Sequence, residues 1–378
     1  MIPTHVETLV SAIHATPHKI VYQFAGAGAQ ALAWLHSVGG SSRTVLEATD
    51  HYASSSLIEA IGFEPARYVS IEVAQALANQ AYLRACWLAG PAQVAGVGCT
   101  ATIATDHTKR GEHGCCVAIC DNQGIMTYSL SLSKGLRERH EEEGLVSLLV
   151  LKAIAKECGL AADEPLLTLH SDEQPVENFN PVDLLDRLIT EQFPLITVFP
   201  DGQMAPGKKL SDIALLSGAF NPLHAGHRQL AHTASERLNQ NIYFELPLVN
   251  AEKAPIGAAE ARRRIAQFKG LAPVLLTTTP LFNQKAQLFP RSVFVLGADT
   301  AARLIQPRFY NNDPDEMLAA LETVRKAGCR FLVAGRYQED HFLTLKELDL
   351  PPGYHELFEE IPEIEFRLDV SSTLLREG

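Results

Sequence analysis

Gly218-Ala219-Phe220-Asn221-Pro222-Leu223-His224-Ala225-Gly226-His227 is the stretch whose reading decides the fold of this 378-residue chain. It follows an apolar run, Ile213 to Leu216, that reads as a buried strand. It precedes a helical stretch, Arg228 to Leu238, with apolar residues at Leu230, Ala231, Ala234 and Leu238. Strand, Gly/Pro turn and helix start make an architecture that α/β proteins use to hold phosphates. The helix N-terminus offers unpaired N–H groups and the positive end of a dipole to an anion. His224 and His227 stand three apart where that helix begins, so both imidazoles face whatever the N-terminus holds.

A second cradle of this kind closes the chain. Ile364 to Leu368 alternates as a strand does, and Asp369 or Ser371 can cap a helix beginning near Ser372. Arg376 lies one turn in, where its guanidinium can fork onto phosphate oxygens. Ser-Ser-Thr serving only as a helix cap is the competing reading.

Between the two cradles, strands and helices alternate. Strands are expected at Ile242 to Val249, Val274 to Thr278, Val293 to Leu296 and Phe331 to Val333. Helices are expected at Ala258 to Lys269 and Glu316 to Lys326. This order means βαβ units, a parallel sheet and ligands at the C-terminal strand ends beside the switch in strand order. On its own, Asp299 in Gly297-Ala298-Asp299 reads as a cap for the helix that follows. Lys253 and Arg336, after two of the strands, read on their own as surface charges.

The pattern Gly218, Phe220, Pro222, His224, Gly226, His227, followed by Val370-Ser371-Ser372-Thr373-Leu374-Leu375-Arg376, resembles the two signatures of the nucleotidylyltransferase superfamily. That superfamily includes the nicotinamide and nicotinate mononucleotide adenylyltransferases and the cytidylyltransferases. The resemblance implies a Rossmann-like α/β/α fold. It implies transfer of a nucleoside monophosphate from ATP or CTP to a phosphorylated acceptor, nicotinamide or nicotinate mononucleotide among the candidates, with release of pyrophosphate. The implied catalytic residues are His224, His227 and Arg376, as protonated or donor groups. The implied nucleotide contacts are Ser217, Gly218, Ala219, Phe220, Gly226, Gly297, Asp299, Ser371, Ser372 and Thr373. Lys253 is the acceptor-phosphate candidate. Both tryptophans, Trp34 and Trp87, lie in the N-terminal half, so Phe309 or Tyr310 would stack the acceptor ring. Mg²⁺ is expected to arrive on the triphosphate, since no dense carboxylate cluster suggests a protein-built cage. The other reading is a nucleotide-binding or nucleotide-hydrolysing protein without transfer, carrying a ligand-sensing N-terminal domain.

Residues 5 to 160 resemble the nicotinamide-nucleotide amidase domain of competence-damage-inducible protein A. The likeness runs through Gly39-Gly40-Ser41-Ser42, Val69-Ser70-Ile71-Glu72-Val73-Ala74, Ala95-Gly96-Val97-Gly98 and Lys134-Gly135-Leu136-Arg137. An active amidase places its serine nucleophile in a Glu-Ser-Cys-Thr-Gly-Gly segment. The matching residues here are Gln23-Phe24-Ala25-Gly26-Ala27-Gly28, with Phe24 where the nucleophile should be. Ser54-Ser55-Ser56 offers hydroxyls but no recognisable lysine or histidine partner. Gly26-Ala27-Gly28 either lines a ligand pocket or packs a helix closely on a strand.

The fold expected is therefore α/β in two domains. Residues 1–160 form a degenerate amidase-like α/β domain, 161–210 a Pro-rich connector, and 211–378 the transferase domain. The connector carries Pro165, Pro175, Pro181, Pro194, Pro200 and Pro206, a short helix from Val182 to Gln192 and a strand from Leu195 to Phe199. A net charge of −12 argues against general nucleic-acid or anionic-membrane binding and confines any phosphate site to a local basic pocket. No signal segment or membrane-length apolar run is read, and seven cysteines lack paired CxxC spacing, so a reducing cytoplasm is expected. Cys115, Cys116 and Cys120 cluster beside His113, which leaves a metal site or buried small apolar residues as readings. The expected partners are a nucleoside triphosphate and a small phosphorylated acceptor, with a homo-oligomer left open.

Overall fold

The computed structural model describes residues 2–90, 93–106, 111–161, 167–249, 255–338 and 341–367. The chain divides into two compact units, Met1–Leu184 and Leu185–Gly378. No helix among the described residues is long and apolar enough to cross a membrane.

The first unit runs α1 (Thr4–Ala15), β1 (Lys19–Ala25), α2 (Ala29–Ser37), α3 (Ser41–Thr44), β2 (Val45–Asp50), α4 (Ser54–Ile61), α5 (Ile71–Ala89), β3 (Val94–Thr102), β4 (His113–Cys120), β5 (Gly124–Leu132), α6 (Arg139–Glu157) and β6 (Val176–Pro181). Its six strands are ordered β2-β1-β3-β4-β5-β6. β1 pairs in parallel with β2 and β3, and the remaining neighbours are antiparallel. Alternation sorts β1 between two faces. Tyr22 and Phe24 join a core with Val10, Leu35, Val146 and Val150 from α1, α2 and α6. Val21 packs on Ala81 and Ala85 of α5.

The second unit opens with α7 (Leu184–Ile189), β7 (Leu195–Val198) and β8 (Met204–Gly207). Then follow β9 (Ala214–Ser217), α8 (Ala225–Leu238), β10 (Ile242–Pro247), α9 (Ala258–Ile265), a 3-10 turn (Ala266–Phe268), β11 (Val274–Thr277) and α10 (Phe282–Leu288). The rest are β12 (Val293–Gly297), α11 (Ala298–Leu304), a 3-10 turn (Pro307–Phe309), α12 (Pro314–Lys326), β13 (Arg330–Ala334), the small hairpin β14 (Arg336–Gln338) and β15 (His341–Leu343), and β16 (Phe358–Ile361). The sheet order is β16-β13-β12-β9-β10-β11-β7-β8. Six strands from β16 to β11 are parallel, and β7 and β8 add an antiparallel edge. The chain runs outward from β9 through β10 to β11, then returns to build β12, β13 and β16 on the other side. The switch point therefore falls between β9 and β12, where open α/β sheets bind ligands.

The described part of the stretch 161–210, expected as a connector with a helix and a strand, is shared between the sheets: β6 completes the first and β7 and β8 the second, and the division between the units falls after Leu184. Among the described residues the last strand is β16, and the strand expected from Ile364 onward is not formed over its described part. Register with β13 fixes β16, pairing Phe331 with Phe358 and Ala334 with Ile361, whereas residues 363–365 form a turn and Ile364 is 95% exposed.

Candidate active site

The ends of β9, β12 and β13 enclose a cleft of about 330 Å³ at the switch point. Ser217, Gly218, Ala219, Phe220, Gly226, His224, His227, Gly297 and Asp299 all line it, together with Thr300, Arg303, Arg336 and Phe366. That volume is at the lower end of small-molecule sites.

The turn after β9 is held from both sides. Phe220 adopts φ +44°, a region costing about 1–3 kcal/mol for a residue with a Cβ. Its buried ring offsets this by packing edge-on to Phe244 at 5.5 Å, Phe268 at 5.2 Å and His227 at 5.1 Å. Gly218 is required by that packing, since a Cβ there would meet the Phe220 ring at 2.8 Å. From outside, the α9 region grips the loop backbone. Gln267 accepts from Leu223 N–H at 2.8 Å and donates to the Phe220 carbonyl at 2.9 Å. Arg264 donates to the Ala219 carbonyl at 3.0 Å, and Arg263 to Asn221 Oδ1 at 2.6 Å. Glu260 in turn holds both arginines at 2.7 Å.

His224 caps α8 in an extended conformation, which places His227 one turn in. The two rings stack at 3.8 Å. The His224 backbone N–H donates to His227 Nδ1 at 3.3 Å, so the neutral His227 ring carries its proton on Nε2. Burial, then the neighbouring His224, then Arg336 push the His227 pKa down to about 3. Burial and Arg336 lower His224 as well. Both rings are thus held toward the neutral form, in which a ring N–H can still donate.

Arg336, just beyond β13, binds Asp299 Oδ2 at 2.9 Å. Asp299 Oδ1 is buried and has no hydrogen-bond partner among the described residues. A Cβ on Gly297 would fall 2.7 Å from that oxygen, so glycine there makes room for the carboxylate. Gly297, not Asp299, is the α11 cap residue.

Some predicted residues are not brought together. Phe309 and Tyr310 are absent from the cleft wall. The Arg308 guanidinium sits 4.7 Å from the Phe309 ring centroid, and the Tyr310 hydroxyl donates to the Leu304 carbonyl at 3.1 Å. Lys253, Ser371, Ser372, Thr373 and Arg376 lie outside the described residues. Arg303 was missed in the sequence. Its position four after Asp299 on a helix was the available signal, because that spacing shares a face.

In the first unit, Phe24 is buried and stacked on Tyr22 at 4.8 Å. The α2 N-terminus behind the glycine turn is filled by the chain's own carboxylate. Glu143 accepts from Gly28 N–H and Gln30 N–H, each at 3.0 Å. Ser56, expected to lack a partner, has His51 Nδ1 at 3.1 Å. Cys115, Cys116 and Cys120 are buried on β4, where burial pushes the Cys116 thiol up to about 11. His113 is bonded to buried Glu142 at 3.1 Å. No group of three His, Cys, Asp or Glu able to hold a metal occurs among the described residues.

The second unit's sequence matches the cytidylyltransferase-like family model over residues 215–378. Both walls of the cleft, from Leu216 to Phe366, fall inside that matched stretch. Similar solved structures include the competence/damage inducible protein CihA from Agrobacterium tumefaciens, 18% identical, covering 41% of this chain and 95% of that one, with a TM-score of 0.33. A competence-damaged protein (CinA) superfamily protein from Escherichia coli is 15% identical over 41% of this chain and 91% of that one, TM-score 0.31. Nicotinic acid mononucleotide adenylyltransferase from Plasmodium falciparum, complexed with NaAD, is 17% identical over 44% of this chain and 83% of that one, TM-score 0.26. No curated protein matches this chain.

Proposed function

We propose that the cytidylyltransferase-like domain transfers a nucleoside monophosphate from ATP or CTP to a small phosphorylated acceptor, releasing pyrophosphate. The observation that carries this reading is the cleft itself. Two neutral imidazoles, a helix N-terminus and two arginines converge at the strand switch point of a protein whose net charge is −12.

An acceptor phosphate oxygen attacks the α-phosphorus, the α–β bridging P–O bond breaks, and pyrophosphate leaves with the electron pair. The nucleophile is already an anion, so the reaction needs position and charge neutralisation rather than a general base. His227 Nε2–H donates to an oxygen gaining charge. Arg336 and Arg303 neutralise polyphosphate charge from the opposite wall. Asp299, oriented by Arg336, leaves Oδ1 to accept from a sugar hydroxyl. This donor-rich lining suits phosphate oxygens better than a bare cation, so Mg²⁺ would enter bound to the triphosphate and spread its charge. Arg376, Lys253 and the hydroxyls of Ser371, Ser372 and Thr373 complete the proposal from the C-terminal signature and the loop after β10.

Pyrophosphate release, measured over a matrix of ATP and CTP against phosphorylated acceptors including nicotinamide and nicotinate mononucleotide, is the test. One pair should turn over well above the others. Triphosphate binding without release from any pair would favour a nucleotide-binding protein instead.

A further inference from the structure

Beneath the cleft lies a buried ion pair that the proposed transfer does not use. Glu245 on β10 and Lys285 on α10 are 0% and 2% exposed, with Lys285 Nζ 2.5 Å from Glu245 Oε1. Thr277, at the end of β11, donates to the same oxygen at 2.5 Å. Burying two charges is expensive, and an apolar pair of similar volume is often as stable or more so. Stability alone therefore does not account for this pair.

Its place in the sheet does. Glu245 is the register partner of Ser217, so both side chains leave the same face of neighbouring strands. Ser217 is in the cleft wall. The Glu245 carbonyl accepts the Gly218 N–H at 3.0 Å, the first hydrogen bond of the signature turn. One residue thus ties the start of the turn, through its backbone, to β11 and α10 through its side chain. The second carboxylate oxygen and Ser217 Oγ are buried, each without a hydrogen-bond partner among the described residues.

We propose that Glu245, Lys285 and Thr277 form a positioning set that fixes the origin of the Gly218–Phe220 turn and the wall residue Ser217. The set touches no reacting atom. Its link to catalysis rests on the transfer reading, but its effect on the turn does not.

The test is the double variant Glu245→Leu/Lys285→Met in the full chain, which replaces the ion pair by apolar side chains. Amide hydrogen exchange reads the turn without any substrate. The expected result is a native-like melting temperature and about tenfold faster exchange at Gly218 to Phe220. The β12 and β13 ladder amides should be unchanged. Unchanged exchange at the turn would overturn the proposal. If the double variant fails to fold, Thr277→Val carries the same comparison with a smaller expected change, about threefold. Where transfer is measurable, kcat should fall about tenfold or more with little change in KM for the triphosphate, as misplacement of reacting groups predicts. A wild-type chain without transfer but with this exchange response would remove the proposed reaction and leave the positioning set standing.

Discussion

At the scale of single residues, His227 makes the sharpest predictions. Its Nδ1 is engaged by the His224 backbone and its pKa is held at about 3. In the proposed transfer its Nε2–H is the donor, so His227→Ala should lower kcat about a hundredfold, the usual worth of one preorganised donor. Circular dichroism should report an intact fold. The pH behaviour follows with a definite sign. Between the ordinary histidine value of 6.5 and about 3, the unfolded chain takes up a proton that the folded chain refuses. Stability from this group is thus fully present above pH 6.5 and drains away as pH falls toward 3. Melting wild type and His227→Ala at pH 7 and pH 5 checks it. The wild type should lose more on acidification, and equal losses would refute the buried neutral ring.

At the scale of elements, the α9 region and α10 support the site from behind. Gln267→Ala removes a side chain that both accepts from Leu223 and donates to the Phe220 carbonyl. It should cost about 1–2 kcal/mol in urea unfolding, since an unsatisfied donor remains, and weaken triphosphate binding. Lys285→Met alone should be far worse, about 3–5 kcal/mol, because it strands the Glu245 carboxylate in the interior. This scale also shows what the sequence could reveal. β9, the turn and α8 were legible because the apolar period changes from strand to helix across ten residues with unmistakable turn chemistry. α10 was not, since seven residues give too short a period to recognise. β7 was legible as a strand, but β6 and β8 were not, because short Pro-containing edge strands become strands only by pairing. For the site, the histidines and Asp299 stood in local patterns. Gln267, Glu245 and Lys285 act across 40 or more positions, as in the Leu223–Gln267 and Glu245–Lys285 contacts, and no spacing announces such partners.

At the scale of the whole chain, the sheet assignments dictate where it can be cut. β7 contributes Leu195 and Ile196, both 0% exposed, and pairs directly with β11. A fragment of residues 185–378 retains every strand of the second sheet. It should melt cooperatively and bind a nucleoside triphosphate, the proposed ligand. A fragment of residues 211–378 keeps both signatures yet loses the β7–β8 edge. It should melt several degrees lower, as removal of two buried aliphatic side chains implies. Differential scanning calorimetry of the two fragments decides the matter, and equal melting temperatures would mean the hairpin is dispensable.

The carboxylate of Glu143 at the start of α2 decides what a hydroxyl at position 24 could do in the first unit. A nucleophilic serine needs donors that stay open until charge develops on a substrate oxygen. In this chain the Gly28 and Gln30 amides already serve a resident anion from α6. A hydroxyl supplied by Phe24→Ser would therefore face donors that are already occupied, and ammonia release from nicotinamide mononucleotide should stay at background. Two features stand against such chemistry, the buried Phe24 ring and the occupied cradle, and a change at either one alone is expected to give no activity.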